Sequence, residues 1–287
     1  MATTDAVLRG GLARRGDTLL LTLDPAFQGL PDSAHGGSVL AVFHAIAGAP
    51  PACRVHGVYR RRVPLGTPLS LATRTGDGVV DCVLGDGAAT LVDGGVVVDP
   101  PAPMPPRPLV EARLVEAPPP LDRADPLPIS LACFVCGRDN PLGLRARLYV
   151  DDALVGSTWR PRDALVGDDG CVAPIVVTAL LDEAAFWLGA LASGESGMTT
   201  ELAVRLYRRA PYGPVHVRGR RDEVRRHPHD ARYWDAAVAA WTDDGQVVAD
   251  ARITFVAVRG AARRLITKML TINETAVIAR VFPAYVD

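Results

Sequence analysis

Two apolar stretches dominate the hydrophobic pattern of this chain. IVVTALLDEAAFWLGALA (175–192) is apolar nearly all the way round a helical wheel, which marks a buried helix rather than a surface one. It opens at Pro174, a residue suited to the first helical position, and stops near Ser193-Gly194. GGSVLAVFHAIAG (36–48) has the same character and ends before Pro50-Pro51. Later segments alternate at period two. In ADARITFVAV (249–258), Asp250, Arg252 and Thr254 point one way and Ala251, Ile253 and Phe255 the other, the pattern of a strand. The order strand, Gly-containing loop, helix, several strands occurs twice. One buried helix wrapped by an antiparallel sheet in each half predicts an α+β layout.

The two halves match in sequence as well as in pattern. LLLTLDPAFQGLPDSAHGGSVLAVFHA (19–45) aligns with VGSTWRPRDALVGDDGCVAPIVVTALLDEA (155–184). Pro25 pairs with Pro161 and, with two extra residues in the second copy, Gly29 pairs with Gly167 and His35 with Ala173. His44 then falls on Asp182. Downstream, YRRRVPLG (59–66) pairs with LYRRAPYG (206–213), and LVDGGVVV (91–98) with WTDDGQVVA (241–249). Between the copies runs a proline-rich stretch, which breaks helices and ladders and reads as a semi-rigid, extended linker. The expected organisation is one unit over 1–98, a linker over 99–130, a second unit over 131–259 and an extension over 260–287.

Composition narrows the function classes. Of 287 residues 48% are hydrophobic, so a substantial core is available and wholesale disorder is excluded. The formal net charge is −1, giving no global field that favours nucleic acid. No apolar run approaches the ~20 residues of a membrane span, and the N-terminus has no apolar secretion core. Five cysteines is an odd number, with only Cys133 and Cys136 close together. That suits a reducing cytoplasm better than a disulfide framework.

The candidate chemistry sits on the two helices. Asp182 and Glu183 lie mid-helix in an apolar setting, where a carboxylate is costly unless paired or used. A helix turn reaching the surface explains them equally. Adjacent helical residues point about 100° apart, so one acid is expected to face a site. His35-Gly36-Gly37 opens the first helix, and glycines there let a ligand approach exposed N–H groups. Such a turn can hold an oxyanion, or be an ordinary Gly-rich turn. Geometry links the two features. Asp182 lies eight residues beyond Pro174, ~12 Å along its own helix, so it needs the N-terminus of a different helix to work against. The first copy supplies one. The second has Ala173-Pro174-Ile175 in its place, and the first has His44 where the second has the acid.

Here the chain resembles the hot-dog-fold acyl-CoA thioesterases of the phenylacetate-pathway type, through FQGLPDSAHGG (27–37), CFVCGRDNPLGL (133–144), ALLDEA (179–184) and TTELAVRLYRRAPYG (199–213). The resemblance implies a tandem double hot-dog, two units side by side with a site at their interface. It implies that the Gly36 amide polarises a thioester carbonyl, that Asp182 is base or nucleophile, that His35 orients the thioester, and that the Thr200 hydroxyl assists. Gly37, Gln28 and Glu183 are candidate substrate contacts. Where the family often has Asn, this chain has Gly29, with Gln28 beside it. Arg60 and Arg208, in the Arg60-Arg61-Arg62 and Arg208-Arg209 clusters, are candidates for CoA phosphates or solvated strand ends.

The expected activity is hydrolysis of an acyl-CoA or acyl-carrier-protein thioester at one composite site. No cofactor is called for, since CoA or phosphopantetheine belongs to the substrate. Pairing of two chains as a homodimer is compatible with the sequence, and neither nucleic acid nor membrane is expected as a partner. A double hot-dog dehydratase, which also divides His and Asp between its halves, is the first rival. A non-catalytic acyl-binding protein is the second. Cys133-x-x-Cys136 lacks a second pair at zinc-ribbon spacing, which argues against a metal centre and leaves it, under the resemblance, as a packing feature. GRDNPLG superficially resembles a hydratase motif but has Gly143 in place of the motif His.

Overall fold

The computed structural model describes residues 3–98, 124–167 and 169–286, so most of the expected linker lies outside the described residues. The first half comprises α1 (Thr4–Gly10), β1 (Leu12–Arg15), β2 (Thr18–Leu21), α2 (Gly36–Ala47), β3 (Cys53–Tyr59), β4 (Leu69–Gly76), β5 (Val79–Asp86) and β6 (Ala89–Val97). The second comprises β7 (Asp125–Pro126), β8 (Tyr149–Val150), β9 (Leu154–Trp159), α3 (Pro174–Ser193), β10 (Gly197–Leu206), β11 (Val215–Arg220), β12 (Arg225–Arg226), β13 (Tyr233–Thr242) and β14 (Val247–Ala257). Two short helices follow, α4 (Ala262–Met269) and α5 (Thr275–Val281).

All the strands join one antiparallel sheet, ordered β1-β2-β4-β5-β6-β3-β10-β14-β13-β11-β9-β8-β7, with β12 alongside β13. The order is palindromic about the β3–β10 junction, where Val55 faces Val204 and Gly57 faces Leu202. Thus β2, β4, β5, β6 and β3 correspond to β9, β11, β13, β14 and β10. The loop before each central helix is built the same way. A 3₁₀ turn (Pro25–Phe27, Asp163–Leu165) leads to a small bridge, Gln28 with Ala34 and Val166 with Val172. His35 N–H then donates to Phe27 O at 2.8 Å, and Ala173 N–H to Leu165 O at 3.0 Å.

This correspondence refines the repeat. Asp163, not Pro161, occupies the place of Pro25, so the two extra residues precede the turn. LVDGGVVV lies along β6, whereas WTDDGQVVA is the β13–β14 hairpin. The shared Asp-Gly reflects different backbone needs. In the hairpin Gly245 takes a positive φ of 76°, which favours glycine. In β6 a Cβ on Gly94 would lie 2.1 Å from His56 O on the neighbouring strand.

Each helix packs mainly on its own half of the sheet, α2 on β3 and β6 with a smaller contact on β10 across the junction, α3 on β9, β10, β11, β13 and β14. The two helices also pack on each other. Gly194, in the left-handed region at φ 69°, ends α3. At 20 residues α3 is long and apolar enough to cross a membrane by length and composition, against the expectation from the sequence, but 83% of its most apolar 18-residue stretch is buried inside the protein. It is a core helix.

The contact between the helices is made by backbone. A Cβ on Gly37 would lie 2.5 Å from Thr178 O and 2.6 Å from Ala179 Cα. The Thr178 hydroxyl donates to Gly37 O at 2.8 Å across the crossing. Gly37→Ala is therefore expected to destabilise the protein by about 1–3 kcal/mol through overpacking against immovable backbone, read as a lowered midpoint in denaturant. An unchanged midpoint would show that the helices can separate freely.

Candidate active site

α3 carries Asp182 and Glu183 to the point where α2 begins, and both are buried. His35 caps α2 and sits between them. Its Nδ1 is 3.2 Å from Asp182 Oδ2, and its Nε2 is 3.4 Å from Glu183 Oε2. The expectation that one acid alone faces the site is thus corrected. Their side chains diverge, as helical neighbours must, but the imidazole has a nitrogen on each side and fills the angle between them.

Asp182 gathers further donors. Gly37 N–H reaches Oδ2 at 3.0 Å, and the Thr199 hydroxyl reaches Oδ1 at 2.6 Å. A carboxylate has about four lone-pair sites, so one remains open. Glu183 Oε1 accepts from Trp187 Nε1 at 3.1 Å, one helical turn on, and Cys133 Sγ lies 3.7 Å from Oε2. Burial acts to lower the His35 pKa, but the charge of Asp182 and the bond to Glu183 outweigh it and raise it to about 9. Burial acts to raise that of Glu183, and the bond to His35 and its charge carry it below the ordinary value. The cluster is an imidazolium held between carboxylates.

These groups line a cavity of about 100 Å³. Its polar end is His35, Gly36, Tyr59, Asp182, Glu183 and Thr199, and its apolar walls include Leu30, Val63, Phe186, Trp187 and Met198. Gly36 is the first residue of α2, and among the described residues no acceptor takes its N–H. The Tyr59 hydroxyl donates to Gly36 O at 2.6 Å and holds that peptide in place.

The remaining expected residues divide. Thr200 is corrected. Its hydroxyl turns to Thr254 O at 3.1 Å, because neighbouring strand residues face opposite ways. Thr199 takes the place beside Asp182, just before an irregularity in the β10–β14 register. Gly37 packs against α3 and bonds Asp182, so it supports the site without lining the cavity. Gln28 also does not line it. Its side chain accepts from Asp32 N–H at 3.4 Å and pins the loop, while Gly29 borders the cavity. Arg60 pairs with Asp93 and Arg208 bonds Gln246, both away from the cavity. The exposed Arg61 and Arg62 border it instead.

Cys133 and Cys136 are more than packing, since both border the cavity beside Glu183. Asn140 of the GRDNPLG segment ties this strap to the first unit. Its Nδ2 donates to Ala26 O at 2.7 Å and Ala132 O at 2.8 Å. The 260–287 extension contributes Leu265 and Met269 to the wall. It is fastened by Asn273, which bonds both backbone groups of Ile129 at 2.9 and 2.8 Å. Tyr59 and Thr199 were within reach of sequence reasoning, since both stand in the motif segments. Leu265 and Met269 had no local signal beyond an amphipathic pattern.

The equivalent position in the other direction is different. His44 borders a separate pocket with Ala173, Pro174, Ile175 and Arg209. Burial and the Arg209 charge lower its pKa. Asp5 also borders this pocket but pairs with Arg9, and among the described residues no carboxylate from the opposite central helix lines it.

No family profile and no curated protein matches the sequence. Solved structures do resemble it. A provisionally named thioesterase II from Thermobifida fusca superposes with a TM-score of 0.58 at 19% identity, covering 90% of this chain and 98% of the other. A hot-dog-fold protein of unknown function from Alicyclobacillus acidocaldarius gives 0.54 at 13%, covering 87% and 96%. A bifunctional dehydratase-cyclase domain of ambruticin biosynthesis gives 0.53 at 16%, covering 86% and 94%. At such identities the likeness establishes fold, and it spans nearly the whole of each structure. The chain is a tandem double hot-dog protein of the α+β class.

Proposed function

We propose that this protein hydrolyses an acyl thioester at one composite site between its two units. The observation that carries the reading is the meeting, in one cavity, of the unbonded Gly36 N–H at the start of α2 and the Asp182 carboxylate from the middle of α3. In this reading the thioester carbonyl accepts from Gly36, where the helix N-terminus favours developing negative charge. A water on the open lone pair of Asp182 gives up a proton to the carboxylate as its oxygen attacks the carbonyl carbon. The tetrahedral intermediate collapses with cleavage of the C–S bond. The thiolate takes the proton back, leaving acid and free thiol. Thr199 and Gly37 hold the carboxylate in register, and His35 neutralises it between turns. Direct attack by Asp182 to form an anhydride would use the same geometry. The apolar walls suit an acyl group, and Arg61 and Arg62 offer positive charge to the phosphates of CoA or a phosphopantetheine arm.

The resemblance to a dehydratase-cyclase domain raises a second reading. A dehydratase needs a ring nitrogen free to take a substrate proton. Here both nitrogens of His35 face carboxylates, and its pKa is raised to about 9, so near neutral pH it already holds its proton and leaves no ring nitrogen free to take another. A panel of acyl-CoA thioesters separates the readings. Release of free thiol is expected. Loss of water from a 3-hydroxyacyl thioester without thiol release would favour the dehydratase, and binding without turnover an acyl carrier.

Asp182→Asn keeps the shape and removes the base, so kcat should fall by about 10²-fold or more in a protein that still folds. His44→Ala should alter the thermal midpoint and leave kcat near that of the wild type. Comparable losses in both variants would contradict a single site.

A Cβ on Gly36 would lie 2.7 Å from Asp182 Oδ2. Gly36→Ala must therefore push the carboxylate aside, and a displacement of that size is expected to cost about 10²-fold in kcat. Steady-state kinetics showing full turnover in this variant would place the carbonyl elsewhere.

A further inference from the structure

We propose that His35, Cys133 and Glu183 form a binding site for a divalent transition-metal cation of zinc-like preference, on the side of His35 remote from Asp182. The three ligand atoms, His35 Nε2, Cys133 Sγ and Glu183 Oε2, all lie within 4.8 Å of one another, and all three residues are buried. Zinc bonds of about 2.0–2.3 Å place neighbouring tetrahedral ligand atoms about 3.3–3.7 Å apart. The separations here are 3.4 Å from Nε2 to Oε2 and 3.7 Å from Sγ to Oε2. A mixed set of imidazole, thiolate and carboxylate is one that zinc accepts and that magnesium or calcium does not favour.

The surrounding contacts suit a metal. A ligating histidine usually gives its other ring N–H to a carboxylate, which fixes tautomer and orientation. His35 turns Nδ1 toward Asp182, 3.2 Å from Oδ2 and at ion-pair distance. A ligating carboxylate is itself hydrogen-bonded, and Trp187 Nε1 holds Glu183 by the other oxygen. The Val135 N–H reaches Cys133 Sγ at 3.3 Å, and a donor aimed at sulfur favours the thiolate. The turn that presents this sulfur closes with Gly137 N–H on Cys133 O at 2.9 Å. Only glycine fits there, since a Cβ would lie 2.1 Å from that oxygen. Cys136 brings a second thiol to the same cavity.

Charge points the same way. Two buried carboxylates meet here, and among the described residues His35 is the one basic side chain that bonds either of them. A divalent cation would displace the Nε2 proton of His35 and the thiol proton of Cys133, releasing both to solvent. His35 would then be neutral, donating through Nδ1 to Asp182. The ligands come from three places in the chain, so a search for paired cysteine motifs does not reveal the set. The site does not rest on the hydrolytic reading, and its test reads binding without turnover.

The test uses the full chain, freed of metal by dialysis against a chelator and titrated with Co²⁺ as a spectroscopic probe. One equivalent should bind, with a thiolate-to-cobalt charge-transfer band that Zn²⁺ displaces. Cys133→Ser should lose the band and bind at least ten-fold more weakly, and Glu183→Gln should bind more weakly with the band retained. Cys171→Ser, outside the cavity, should match the wild type. A wild-type protein with no such band, or a band that survives in Cys133→Ser, would overturn the site.

Discussion

The start of α2 rests on the second turn of α3 with no side chain between them, and this contact organises the molecule. Gly37 meets the backbone at Thr178 and Ala179, and the Thr178 hydroxyl closes the crossing. Each helix is too apolar to face water, so each must bury one side on a sheet and the rest on its twin. Bringing the helices into backbone contact brings the two half-sheets edge to edge. They meet at β3 and β10 and continue as one sheet, which removes an exposed edge from each unit.

The same crossing sets the electrostatics. Asp182 lies one helical turn beyond Thr178, so the close approach at Gly37 delivers the carboxylate to the N–H groups and the positive end of α2. A buried carboxylate needs such partners, and Asp182 has Gly37, His35 and Thr199. The reciprocal contact lacks this chemistry. There the helix start is Ala173-Pro174-Ile175, Pro174 has no N–H to offer, and His44 replaces the acid. The paired helices pack on each other at this contact, and one helix start alone meets a buried carboxylate.

Two segments outside the repeat close the cavity. The strap that carries Cys133 and Cys136 is bonded to the first unit through Phe134 N–H on Gln28 O at 2.6 Å and sets Phe134 at a tilt beside Phe27, with ring centres 5.3 Å apart. The C-terminal helices cover the far side, with Phe282 near Trp187 and Asn273 clasping Ile129. Both wall the pocket between the units, and so bear on the size and shape of what it can hold.

The sequence by itself determined the repeat, the two buried helices and their ends, and the need for Asp182 to meet a foreign helix N-terminus. Those rest on periodicity, proline and glycine chemistry, and helical rise, which are local. It placed His35, Gly36 and Asp182 together by that argument alone. What it missed depends on distance in space. That Thr199 rather than Thr200 faces Asp182 follows from the strand's pleat and its register with β14, which no count of residues shows. That Glu183, expected as a substrate contact, instead holds His35 beside Asp182 depends on a histidine ring filling the angle between two acids. That Arg61 and Arg62 border the cavity, and Arg60 and Arg208 do not, depends on where Asp93 and Gln246 stand to hold the latter pair. The cysteine turn and the C-terminal helix reach the site from sequence positions far from the helices that carry it. Only the folded chain brings them there, because burial of apolar surface is indifferent to order along the chain.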